Sequence, residues 1–160
     1  GMQSDFLRFF IYDLANQDGV EGYRALSKST CLSADVNAAF DPTYASAYEA
    51  KNCSYINNGV IISKYTGHGG KYDTSDASAE YMGKIRAMLE KNDILWQVGE
   101  LGRVDLGGGG TIAKYVANMN VDVVDLGVPV LSMHAPFEIV SKTDVYMAYR
   151  AFFAFFEANE

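Results

Sequence analysis

"VDVVDLGVPVLSMH", Val121 to His134, reads as two consecutive strands, VDVVDL and VPVLSM, because β-branched and apolar residues crowd both runs. Upstream, residues 111–118 carry a helical pattern, and downstream Ser141 with Asp144 three positions later resembles a capping box opening a last helix. In that helix Val145, Tyr149, Phe152, Phe153 and Phe156 fall along one stripe, which reads as its core face. Further out, "TCLSAD" is a strand ending in Asp35, "GVIISKY" over 59–65 is a strand, and "DILWQV" is another. Helices are expected over 4–16, 20–27 and 78–90; in the last, Met82, Ile85 and Leu89 point inward and Lys84, Arg86 and Glu90 outward. "FDPTYASAYEAKNCSYINN" and "TGHGGKYD" read as loops. Strands alternating with helices predict an α/β fold, a three-layer α/β sandwich with a mixed, largely parallel sheet. Its central sheet would include VIISKY, VDVVDL and VLSM, covered by the Met82 and Phe152 faces, with 1–160 forming one domain.

Before the 111–118 helix stands "VDLGGGGTIAKY". Bare backbone at that place lets a ligand or another backbone come close. A phosphate cradle does not fit, since Lys114 lies three residues past Thr111 and no Lys-Ser or Lys-Thr pair follows the glycines. The dinucleotide fingerprint fails because Gly107, Gly108, Gly109 and Gly110 are contiguous and Ile112 occupies the position of the third glycine. A turn that caps the helix and a binding loop both remain open.

The net charge of -7 excludes nucleic acid and anionic membrane as main partners, because both require a basic face. The longest apolar runs, such as RAFFAFF, are too short to span a bilayer. Asp5, Arg8 and Asp13 interrupt the first residues, which have no basic block ahead of an apolar one, so no secretory signal is expected. Cys31 and Cys53 form no C-x-x-C unit, and reduced thiols in a cytoplasmic protein are the expectation.

In open α/β sheets ligands gather at the carboxyl ends of strands. Asp35 closes one strand and His134 another, and carboxylate and neutral imidazole are both good zinc ligands. The residues alone leave a second reading open for each: a turn cap for Asp35, a hydrogen-bonded core residue for His134. His68, between glycines, reads as solvent-exposed; Lys64 and Lys71 could draw a carboxylate or be solvated. Glu100 reads as a solvated loop anchor. No G-x-S-x-G elbow is present, and neither cysteine has the setting of a nucleophile.

"LSADVNAAFDP", "GGGGTIAKY", "VVDLGVPVLSMHAPFE" and "SKTDVYMAYRAFFAFFE" together resemble, in order and over nearly the whole chain, the carboxyl-terminal part of the zinc aminopeptidase family of aminopeptidase I and aspartyl aminopeptidase. The resemblance implies a hydrolase that removes the amino-terminal residue from peptides, using two zinc ions that share a water and a glutamate general base. It implies metal-ligand roles for Asp35 and His134, each on a different ion. It also implies a substrate cleft walled by Gly108, Gly109, Gly110 and Thr111, with Met133 and Lys64 beside it. The family's further His ligand, bridging Asp and adjacent Glu-Glu pair match nothing here, and "GMQSDFLRFF" resembles the segment that follows Glu-Glu. The expectation is therefore a fragment or a truncated product: the general base lies outside the chain, zinc binds weakly or not at all, and the isolated chain is inactive. Apolar edges and faces left uncovered should make it self-associate. With no His or Lys after Asp35 in "VNAAFDP", the parent protein is expected to prefer broad or neutral residues over acidic ones. The alternative is a non-catalytic domain that kept the peptidase scaffold and binds a peptide or partner.

Overall fold

The computed structural model describes residues 1–69, 72–103 and 105–158. Lys71, weighed above as a possible partner for a carboxylate, lies outside them. Helix α1 spans Phe6–Gln17 and α2 Gly22–Ser27. Strands β1 (Thr30–Ser33) and β2 (Asn37–Ala38) follow, then a 3-10 segment at Pro42–Ala47. Next come β3 (Val60–Ser63), β4 (Tyr65–His68), β5 (Tyr72–Asp76), α3 (Ala79–Lys91), β6 (Trp96–Val98) and β7 (Gly108–Gly109). The chain continues with α4 (Ala113–Ala117), β8 (Asp122–Gly127), β9 (Pro129–Leu131), β10 (Ile139–Val140) and α5 (Lys142–Ala158).

The central sheet has the order β1-β8-β3-β6, with β1 and β8 parallel, β3 and β6 parallel, and β3 antiparallel to β8. Side chains alternate across a strand, and β8 shows what that does. Val124 and Leu126 join Leu32, Val60 and Ile62 in the core under α3 and α5. Val123 points the other way, into the cluster of Leu26, Ala113 and Val116 under α2 and α4. Helices thus cover both faces of a mixed sheet, giving the three layers that the alternating pattern predicts. In α3 the Ser78 hydroxyl accepts from the Tyr81 amide at 3.1 Å, an N-cap that starts the helix at its expected place.

Four local expectations are corrected. VPVLSM is not in the central sheet: β9 pairs with β2 and β10 in a separate three-stranded sheet. Pro129 has no N–H to give a ladder, so the chain leaves the central sheet as β8 ends. Of the stretch TGHGGKYD, residues 66–68 and 72–73 are strand, not loop; β4 and β5 form an antiparallel pair with Tyr65 opposite Asp76 and His68 opposite Tyr72. In α3 the buried side chains are Tyr81, Ile85 and Leu89, with Met82 only packed against the edge of that cluster.

The fourth correction concerns α5, which carries two candidate stripes. Val145, Tyr149, Phe153 and Phe156 are exposed, Phe156 at 70 %. Asp144, Ala151 and Ala154 face inward instead, with Met147, Ala148, Phe152 and Phe155 beside the core. The reason is Asp144. Fully buried, it does not reach back to cap its own helix; its oxygens accept from the Asn57 amide at 2.8 Å and the Gly59 amide at 2.9 Å. A buried carboxylate must have such partners, and turning the aromatic stripe inward would remove them.

Replacing Asp144 with Ala leaves those two amides without an acceptor and should lower stability by about 2–4 kcal/mol. Replacing exposed Phe153 with Ser should change it by about 0.5 kcal/mol or less. Urea unfolding of the two variants checks both, and equal losses would return the aromatic stripe to the core.

Candidate active-site cleft

Three adjacent strands of the central sheet each bring a buried polar residue to one level: Ser33 at the end of β1, Asp125 within β8 and Ser63 at the end of β3. The register aligns them, Ser33 opposite Asp125 on one side and Ser63 opposite Asp125 on the other. The result is a buried polar row across the sheet, on the face from which α4 begins. All three residues are more than nine-tenths buried. Serine and aspartate in these strands are the sequence signal for this row, but nothing local in the sequence shows that they share a level.

Thr111, at the entry to α4, completes the row. Its hydroxyl donates to Asp125 Oδ2 at 2.8 Å, lies 3.3 Å from the Thr66 hydroxyl, and accepts from the Ala113 amide at 3.2 Å. From the neighbouring sheet Asn37 donates through Nδ2 to Ser63 Oγ at 2.9 Å, and Ser63 Oγ donates on to the Gly99 carbonyl at 2.9 Å. Burial pushes the Asp125 carboxyl above its usual range; the Ser33 and Thr111 hydroxyls oppose this, and the nearby charge of Asp35 adds to it.

Asp35 stands two residues past the end of β1, half-buried, with Oδ1 accepting from the Val36 amide at 2.8 Å. Its backbone crosses Gly127 so closely that a Cβ there would overlap the Asp35 carbonyl. Asp35, Asn37, Ser63, Thr66, Thr111 and Asp125 line one small cavity, so two of the residues singled out from sequence, Asp35 and Thr111, come together. His134 does not line it. It lies on the exposed loop after β9, where its amide donates to the Glu138 carboxylate. His134 and Ser132 both hold left-handed backbone, φ 67° and 57°, a conformation that side-chain-bearing residues rarely adopt and that clusters at functional sites. Met133, half-buried, sits between them.

The glycines prove to have an internal use. Gly108 and Gly109 form β7, pairing with His68 and Gly67 of β4. Gly108 has φ +98°, and a Cβ on it would overlap the Gly67 carbonyl. Gly110 is different: a Cβ there would meet nothing nearer than 3.9 Å, so the fold itself makes no demand for glycine at that position. Lys64 is tied to Asp76 in a salt bridge, half-exposed. Glu100 is buried, which corrects its reading as a solvated loop anchor. His68 is exposed, as its setting between glycines suggests.

Zinc asks for about three protein ligands at each ion. Among the described residues no group of three or more His, Cys, Asp or Glu is placed to hold a metal ion. Asp35 and His134 have the right donor chemistry, but these residues by themselves do not fit a complete zinc site.

Two outcomes test this geometry. Gly108→Ala should cost about 1–3 kcal/mol of stability through its positive φ and the overlap with β4, whereas Gly110→Ala should leave stability within about 0.5 kcal/mol. For Asp125 the folded pKa lies above the unfolded one, so the folded state holds the proton more tightly. Stability should fall as pH rises from about 4 up through the folded value, and Asp125→Asn should flatten that part of the profile; denaturant midpoints taken from pH 4 to 7 check it.

The M18 family described as aminopeptidase I zinc metalloprotease matches residues 1–156. A probable M18 family aminopeptidase 1 of Borrelia garinii subsp. bavariensis is 44% identical over 163 aligned positions, which cover 98% of this chain and 36% of that protein. The crystal structure of aminopeptidase I from Clostridium acetobutylicum superposes with a TM-score of 0.88 at 44% identity, covering 97% of this chain and 34% of that one. The M18 aminopeptidase of Thermotoga maritima superposes with a TM-score of 0.91 at 38% identity, covering 96% and 35%. The chain therefore spans about a third of the length of the relatives it matches. With both the sequence match and the superposition running almost from end to end, this chain belongs to the M18 family of aminopeptidase I zinc metalloproteases.

Proposed function

We infer that this chain is the carboxyl-terminal part of an M18 catalytic domain, and that the whole protein removes amino-terminal residues from peptides. The observation that carries the reading is the position of Asp35, which leaves the carboxyl end of β1 into a cavity shared with Thr111, the residue that follows the glycine run. Asp35 and His134 serve as zinc ligands on different ions, with the remaining ligands and the general base supplied from outside the chain. The left-handed backbone at His134 supports its role, since such strain persists where the surroundings hold a side chain for use.

In that reading zinc, when bound, polarises the scissile carbonyl and lowers the pKa of its water. This chain's own residues shape the cleft. Asp125 fixes the Thr111 hydroxyl and so holds the turn from Gly110 into α4. Gly110, with no steric demand from the fold, leaves room for a peptide backbone to lie close, and Gly108 and Gly109 keep the loop flat against β4. In this reading Met133, next to His134, belongs to the substrate cleft as well. Lys64 is paired with Asp76, which supports a broad or neutral substrate preference in the whole protein.

The alternative is a scaffold that binds a peptide or partner without cleaving it. An in-frame upstream extension encoding Glu-Glu would support the enzyme; a ribosome-binding site and start codon at Met2 would support the binding module. The exposed aromatic side chains of α1 and α5 support self-association of the isolated chain, and the cytoplasm suits its two free cysteines. Among the described residues no helix is long and apolar enough to cross a membrane.

The purified 160-residue chain should hold less than stoichiometric zinc by elemental analysis and show no turnover of Leu- or Asp-terminated chromogenic peptides. In the whole protein His134→Ala should cost at least about 10²-fold in kcat/KM, and Leu-terminated substrates should be cleaved at least as fast as Asp-terminated ones. Tight stoichiometric zinc in the isolated chain, or full activity of the His134 variant, overturns the ligand assignment.

A further inference from the structure

Among the described residues, the buried polar row leaves Asn37 Oδ1 with no hydrogen-bond partner in the protein and Asp125 Oδ1 with only the Ser33 hydroxyl, opposite it in register, to draw on. Leaving buried polar atoms unpaired costs about 1–3 kcal/mol each, so such a group in a native fold calls for a partner. The orientation of the Asn37 amide is fixed by its surroundings. Ser63 gives its own proton to the Gly99 carbonyl and so accepts from Asn37, which places Asn37 Nδ2 on that side and turns Oδ1 toward the cavity. Asp125 Oδ2 is occupied by the Thr111 hydroxyl, which leaves Oδ1 to the Ser33 hydroxyl opposite it and to the cavity. Asn37 and Asp125, 5 % and 6 % exposed, both line the cavity.

We propose that this cavity is the binding site of a single internal water, which donates one proton to Asn37 Oδ1 and the other to Asp125 Oδ1. The chemistry matches in sign: Asn37 Oδ1 and Asp125 Oδ1 both accept and water has two protons to give, while a carboxylate oxygen with two lone pairs can take the Ser33 hydroxyl as well. The volume matches too, since the cavity offers about 20 Å³ and one water needs roughly 10–15 Å³ of such space. A metal cation fits less well. Hard cations take about six oxygen ligands, and the hydroxyls of Thr111 and Ser63 are already engaged with Asp125, Asn37 and Gly99. Asn37 belongs to β2 and Asp125 to β8, so the water joins the two sheets directly behind Asp35. The inference does not depend on the peptidase reading, because it concerns only atoms of this chain.

The test is a high-resolution crystal structure of the chain grown in rubidium chloride. The expected result is one ordered peak about 2.7–3.2 Å from both Asn37 Oδ1 and Asp125 Oδ1 with no anomalous signal. A rubidium anomalous peak there overturns the water in favour of a cation site, and a dry cavity, or Asn37 and Asp125 turned to other partners, overturns the site. In solution, oxygen-17 relaxation dispersion of the folded wild-type chain should count one more long-lived internal water than Asn37→Leu, whose side chain fills the cavity. An unchanged count in a folded variant overturns the proposal; should that variant not fold, the wild-type crystal decides.

Discussion

Everything around the cleft hangs on the buried amide of Asn37. Its link to Ser63, and the link from Ser63 to the Gly99 carbonyl, fasten the small β2-β9-β10 sheet to the middle of the central one. Without that tie the chain leaving β1 would have no fixed course, and Asp35 with it. The close crossing of Asp35 over Gly127 works to the same end, because a backbone that packs directly on another backbone has no rotamer freedom to lose. Asn37 and Gly127 together convert the ends of two strands into one rigid corner.

A second rigid element meets that corner from the far side. Thr111 is held at once by Asp125 below it and by Thr66 beside it, so the turn from the glycine run into α4 is anchored to both the central sheet and β4. The carboxylate responsible is buried and electrostatically uncomfortable, with its proton affinity raised by burial first and by Asp35 second. A fold that keeps a carboxylate in such a place accepts a stability cost for a fixed geometry, which is the usual relation between a site and its scaffold.

The apolar surface tells a complementary story. Helix α1 buries none of its residues completely and exposes Phe6, Phe9, Phe10 and Leu14, and α5 exposes the aromatic stripe that its own sequence suggests for the core. Phe6 and Phe10 stack on each other, as Tyr149 does on Tyr146, with Phe153 tilted against Tyr149. Relatives that match over nearly all of this chain are close to three times as long.

The sequence by itself determined the class of fold, the strands at VIIS and VVDL, the helix begun by Ser78, and the motifs that mark the M18 family. These rest on periodicity, capping and local composition, which act over a few residues and can be read in order along the chain. It did not determine which stripe of α5 turns inward, because two stripes satisfy the same period and only the amides of Asn57 and Gly59 choose between them. Nor did it separate β9 from the central sheet, bury Glu100, or place parts of TGHGGKYD in a strand pair, since pairing is decided by partners far away in sequence. Ser33, Ser63 and Asp125 were plain in the text as polar residues of these strands, yet their meeting in one row required the register of three strands at once. Local interactions fix what each segment becomes; burial and hydrogen-bond pairing, which are properties of the whole chain, decide where its side chains face and which of them share a site.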